Sequence, residues 1–121
     1  MNKAEFAELF KQRTKKFAVE VILFCENLKH TEASRIIVRQ LMRSATSVGA
    51  NYRSACRARS KAEFYSKLSI VIEEADESAY WLELLGEFDS LKFNEDKRRA
   101  LLNEVIEIVK VLSTARKNLK K

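Results

Sequence analysis

Apolar positions recur along this chain every three or four residues, the spacing that gathers side chains on one face of an α-helix. The last quarter shows it most cleanly. Leu101, Val105, Ile108, Leu112, Ala115 and Leu119 alternate at steps of four and three, the repeat of helices packed at about +20° in a bundle. Asn94 is placed to cap that helix, and Lys117, Lys120 and Lys121 suit the negative end of its dipole. Near the start, Phe6, Phe10, Phe17, Val21, Phe24 and Leu28 make one buried line, interrupted by Arg13, on a helix predicted over residues 2–28. Phe64, Leu68, Val71, Ala75, Ser78, Leu82 and Leu85 make the seam of another. That helix starts after Ser60, with Glu63 three residues on as in a capping box, and stops at Gly86 and the Asp89-Ser90 pair.

The remaining segment is capped by Thr31 or Ser34 and is predicted to run to Arg59. Its apolar side comprises Ile37, Val38, Leu41, Ala45, Val48, Tyr52 and Ala55. Arg35, Arg39, Arg43, Arg53, Arg57 and Lys61 fall within about 80° of one another on nearly the opposite side, if the whole stretch is helical. Between these two faces runs a third stripe, Gln40, Ser44, Ser47 and Asn51, suited to a polar helix–helix contact within or between subunits. Gly49 sits mid-helix, at a cost of about 1 kcal/mol relative to Ala.

With 121 residues, no Pro and only two Gly, the chain has the size of one domain, residues 1–121, and lacks the turn residues of a strand-rich fold. The expected fold is all-α, an antiparallel up-down-up-down four-helix bundle joined by connections of about three to seven residues. Net charge is +6, unevenly spread. Residues 29–67 carry nine cations and two anions, whereas residues 68–95 carry one cation and eight anions. The third helix points Glu73, Asp76, Glu77, Glu83 and Glu87 outward, so the molecule is strongly dipolar.

Catalytic chemistry finds little support. There is no glycine-rich phosphate loop, no GxSxG elbow and no HExxH. The single histidine, His30, falls near a helix end, and Glu73, Glu74, Asp76 and Glu77 lack the Glu-x-x-His partners of a di-metal bundle. Cys25 and Cys56 are too few and too far apart for a disulfide framework or a zinc site. No cofactor or metal is expected. Lys3, Glu5, Glu8 and Lys11 interrupt any N-terminal signal, and the longest apolar run, Val21 to Cys25, is too short to span a bilayer. The expectation is a cytoplasmic protein of bacterial type with no membrane association.

The run from Gln40 to Tyr52, Gln-Leu-Met-Arg-Ser-Ala-Thr-Ser-Val-Gly-Ala-Asn-Tyr, resembles the second-helix signature of the four-helix-bundle proteins encoded by 23S rRNA intervening sequences. Lys61, Phe64, Lys67-Leu68, Glu74-Ala75, Glu77 and Tyr80-Trp81-Leu82 are similar to that family's third helix. The likeness spans about residues 17–112. It implies an antiparallel four-helix bundle assembled as a homopentameric ring, in a family generally without an assigned activity. A related branch is the accessory protein of diversity-generating retroelements, a basic bundle that works beside a reverse transcriptase and contacts nucleic acid. Many members carry Glu-Gly shortly after the signature Asn. Ser54-Ala55 stands there in this chain, a departure that removes an acid from the ridge.

Two functions compete for the six cations. As a nucleic-acid interface, cations at i, i+4 and i+8 rise about 6 Å per step, comparable with phosphate spacing, and Arg grips phosphate bidentately. RNA and DNA both fit. Lys110, Arg116, Lys117, Lys120 and Lys121 form a secondary basic patch. As a scaffold, Arg39, Arg43 or Arg53 pairs with Glu73, Asp76 or Glu77 of the next subunit, or some of them pair within the chain.

Overall fold

A computed structural model describes residues 1–88 and 91–119, so the Asp89-Ser90 stop and the last two lysines lie outside the described residues. Four helices follow in order: α1 Lys3–Glu26, α2 Glu32–Ala55, α3 Lys61–Leu85 and α4 Glu95–Leu119. No strand occurs among the described residues. Consecutive helices pack together, and α1 closes the bundle against α4 along its sparsest seam.

Each helix starts where the chain offers an oxygen to an unpaired backbone N–H. The Asn2 side chain accepts from the Glu5 amide, and Asn94 accepts from that of Lys97. Both residues proposed to cap α2 act together. Thr31 is the cap, and Ser34 returns a bond to the Thr31 amide. Ser60 caps α3. The Glu63 carboxylate, expected to complete a capping box there, turns instead to Arg59 and Lys67, at 3.7 and 3.6 Å.

The register of contacts fixes the topology. Ser44 meets Ser78 and Lys67 meets Ser54, so α2 and α3 run antiparallel. Arg13 meets Glu104 and Glu20 meets Lys97, which sets α1 against α4 the same way. Phe10 lies against Tyr52, and Arg116 reaches Ser69, which completes the up-down-up-down order.

The core is the one the periodicity implies. Phe17, Val21, Leu41, Val48, Leu68, Val71, Leu82, Val105 and Ile108 are buried. Phe6 departs from this pattern. It is 36% exposed and stacks on Phe10 with ring centroids 5.4 Å apart. Val38 and Phe64 are half-buried. Arg13, which seemed to interrupt the first seam, forks onto Glu104 at 2.7 and 2.8 Å and lies over the Phe10 ring, tying α1 to α4.

Two boundaries differ from expectation. The second helix ends at Ala55, not Arg59. There the amides of Arg57 and Ala58 bond back three residues, to Ser54 and Ala55, and this tighter turn leads the chain out of the helix. The third connection, residues 86–94, is longer than the seven residues anticipated. Gly86 caps α3 with φ −65°, an ordinary right-handed conformation. Its need for glycine comes from Arg98, whose guanidinium carbon would lie 2.7 Å from an added Cβ.

Candidate nucleic-acid interface

The α2 helix carries Arg35, Arg39, Arg43 and Arg53 on its outer side, all exposed. The other two predicted members do not continue that line. Arg57 lies in the turn beyond the Cys56 cap, and Lys61 is the first residue of α3. Both are exposed, but Lys61 borders a separate hollow with Ala62, Tyr65 and Leu119. The six cations therefore do not form one helical ridge, because the helix stops before the last two.

Arg43 is already engaged. One guanidinium nitrogen donates to both Glu74 oxygens, at 3.2 and 3.4 Å, and another to Glu77. Glu77 also accepts from the Trp81 indole N–H at 3.0 Å. The Trp81 hydrogen bond, then that of Arg43, holds the Glu77 carboxyl below the usual carboxylate range, and Glu77 in turn raises the Arg43 guanidinium. These are partners in the same chain rather than in a neighbouring subunit. The group is substantially exposed, so its contribution to stability is small.

Arg35, Arg39, Arg53, Arg57 and Lys61 make no ion pair or side-chain hydrogen bond among the described residues. Arg35 and Arg39 border a hollow of about 360 Å³ together with His30, Val38 and Met42 of α2 and its approach, and Cys25 of α1. Arg53 and Arg57 border another of about 460 Å³, whose facing wall is Lys11, Gln12 and Lys15 of α1. Gly49 belongs to this second hollow, where the backbones of the two helices come near each other. A Cβ added there would meet the Thr14 backbone carbonyl carbon and oxygen at 3.5 Å. One carboxylate, Glu8, sits at the edge, 3.3 Å from the Lys11 ammonium and held below its ordinary range first by Gln12 and then by Lys11.

The model of the 23S rRNA-intervening sequence protein family matches residues 9–114. The chain belongs to that family. A crystal structure of a protein of unknown function from the S23 ribosomal protein family of Bacteroides thetaiotaomicron VPI-5482 superposes with a TM-score of 0.81. The two are 33% identical, and the alignment covers 92% of this chain and 97% of that one. No curated protein matches the chain.

The family signature in α2 is largely accounted for by packing. Leu41, Ala45, Val48 and Tyr52 enter the core. Of the polar stripe, Ser44 makes the helix–helix contact, its hydroxyl 2.8 Å from that of Ser78 in α3 and both buried. Asn51 instead bonds back to the Ser47 carbonyl of its own helix. Ser54, where the resemblance places an acid in many members, is turned toward α3. It accepts a hydrogen bond from the Lys67 ammonium of α3 at 2.8 Å, so an acid at this position would face Lys67. In the secondary basic patch, Arg116 turns back to Ser69 and the Tyr65 ring. Sequence reasoning passed over Lys11 and Lys15, whose i, i+4 spacing was the available signal, because only the rotation of α1 against α2 shows that they face Arg53 and Arg57.

Proposed function

We propose that this family member is a non-catalytic, oligomeric module of the cytoplasm that binds the phosphate backbone of nucleic acid through the cations of α2 and the turn that follows. The observation that carries this reading is the exposure of Arg35, Arg39, Arg53 and Arg57 without a carboxylate partner among the described residues. Four guanidinium forks held apart from the acids of α3 suit anions that present several oxygens in a row. Among the described residues no Phe, Tyr or Trp lines the hollows beside them, and Tyr52 is buried, so binding should depend weakly on sequence and strongly on salt. The names of the family and of the Bacteroides protein refer to ribosomal RNA and a ribosomal protein, which favours RNA over DNA. Both cysteines are free, in keeping with a reducing compartment.

A scaffold reading has its own support. Glu73 and Asp76 are exposed and make no ion pair among the described residues, and Ile36 and Tyr80 expose more than half their surface. A ring of copies, pentameric by the family resemblance, would use such faces, and a nucleic-acid enzyme such as a reverse transcriptase would be a further partner. Exchanging Arg35, Arg39 and Arg57 for Glu separates the readings. Loss of binding to labelled RNA with unchanged mass by light scattering supports the nucleic-acid interface. Collapse to monomer makes the same cations an assembly contact and removes that support.

A further inference from the structure

We propose that the ligand is a single nucleic-acid strand lying lengthwise in the seam between α1 and α2, gripped at one end by Arg35 and Arg39 and at the other by Lys11, Lys15, Arg53 and Arg57. This rests on the nucleic-acid reading above and replaces a ridge on one helix by a track between two. The two hollows occupy opposite ends of the same seam, and each carries its own cations. Where they approach each other their lining is uncharged, with Ala18 on α1 and Met42, Thr46, Gly49 and Ala50 on α2. Arg43, the cation that would have filled the middle, is drawn to the far side of α2 by Glu74 and Glu77. The Thr46 hydroxyl donates to carbonyls of its own helix.

Length and shape favour one strand over two. From Arg35 to Arg53 is about 27 Å at 1.5 Å per residue, and Arg57 lies just beyond the helix, enough together for about six phosphates of an extended strand. A strand of a duplex winds through a full turn in about 34 Å, so it would leave a straight track after a few phosphates. A single strand can follow it throughout. The seam between adjacent helices is also concave, and cations on its two walls approach a thin chain from both sides. Neither wall carries a Phe, Tyr or Trp platform, and His30 at the Arg35 end is the one ring among their lining residues, so most contacts are to phosphate and sugar, which RNA and DNA share.

Glu8 opposes this occupant. It holds Lys11 at 3.3 Å within the hollow, and its charge repels an incoming phosphate. The track therefore has a built-in antagonist, whose neutralisation should tighten binding.

Fluorescence anisotropy with labelled twelve-nucleotide oligouridine, oligothymidine and a twelve-base-pair duplex tests the proposal on the full chain. Both single strands should bind at least tenfold more tightly than the duplex. Six phosphate contacts give a slope of log K against log salt of about −4 for a single strand. The double exchange Lys11→Glu and Lys15→Glu, off the α2 ridge altogether, should weaken binding more than tenfold. Lys11→Gln with Lys15→Gln should make the salt slope shallower by about 1.4. Glu8→Gln should tighten binding two- to fivefold. Circular dichroism checks the fold of each variant. If the Lys11 and Lys15 variants bind as wild type while Arg35→Glu with Arg39→Glu abolishes binding, the track is wrong and the α2 interface stands. A duplex preference also overturns the track. If the wild-type chain binds none of the three at low salt, both proposals fall.

Discussion

Arg98 and Gly86 should behave as a coupled pair, and the sign of one substitution should depend on the other. The Arg98 side chain is nearly buried, and its Nη1 donates to the Leu82 carbonyl at 2.9 Å, in the last turn of α3. Such carbonyls have no partner inside their own helix, so Arg98 acts as a cap supplied from α4. Its other nitrogens reach Glu95, which holds the Arg98 charge more firmly still. Removing a charged donor from a buried acceptor costs about 1.5–3 kcal/mol. The Glu95 pair adds little, because that carboxylate is 43% exposed. Arg98→Ala should therefore cost about 2–3 kcal/mol.

Gly86→Ala would place a methyl 2.7 Å from the guanidinium carbon. The guanidinium is the end of a flexible side chain and can swing away, so the cost is capped by its bond to Leu82. About 1–2 kcal/mol follows, or roughly 1 M in the urea midpoint for a chain of this size. In the Arg98→Ala background the clash is gone and the backbone at Gly86 is right-handed, so the same methyl should stabilise by about 0.5–1 kcal/mol. Urea unfolding of the four proteins, followed at 222 nm at one protomer concentration, gives the coupling directly. Additive effects within 0.5 kcal/mol would mean that Arg98 does not cap α3 across Gly86.

Two further outcomes are expected. Gly49→Ala should raise stability by about 0.5–1 kcal/mol, because its Cβ meets Thr14 at an ordinary 3.5 Å while the helix loses its least favourable interior residue; a lower melting temperature would show that α1 and α2 need the glycine to approach. The Glu77 carboxyl is lowered in the folded state, so its stabilising contribution is present above the unfolded carboxylate value near pH 4.3 and is lost as pH falls through the folded one. Trp81 is the only tryptophan and donates to Glu77, so its emission should change in that acid window in wild type and lose this transition in Glu77→Gln.

The helices and their buried seams were legible because 3.6-residue periodicity and side-chain caps are local properties of the chain. What escaped depended on events between helices. The end of α2 was missed because Ala55-Cys56-Arg57-Ala58 contains no Gly or Pro to announce it, and the exit is made by backbone bonds of a tighter turn. That error carried Arg57 and Lys61 onto a ridge they do not share. Gly86 was read correctly as a stop, but the arginine that crosses it from α4 leaves no trace in the local sequence. Arg43 was expected to pair with acids of the third helix of the next subunit or of its own chain, and within the chain it meets Glu74 and Glu77. Pairing within the chain needs only that α2 and α3 are antiparallel neighbours.

Repulsion is as informative as attraction about how this molecule would meet a polyanion. Glu73, Asp76 and Glu83 remain exposed on α3, and Glu87 is exposed just beyond its end. The α1–α2 seam lies across the bundle from them, since α3 is the helix diagonal to α1. At about 0.1 M salt, charges more than about 10 Å apart are largely screened, so the acids do not cancel the field at the seam. They do penalise any approach from the α3 side. Arg43 marks the border between these territories, because its charge is neutralised by the two acids nearest the cationic helix. A protomer built this way has one favourable orientation toward a nucleic-acid strand. Lowering the charge of α3, by exchanging Glu73 and Asp76 for Gln, should therefore weaken that orientation more than it raises affinity.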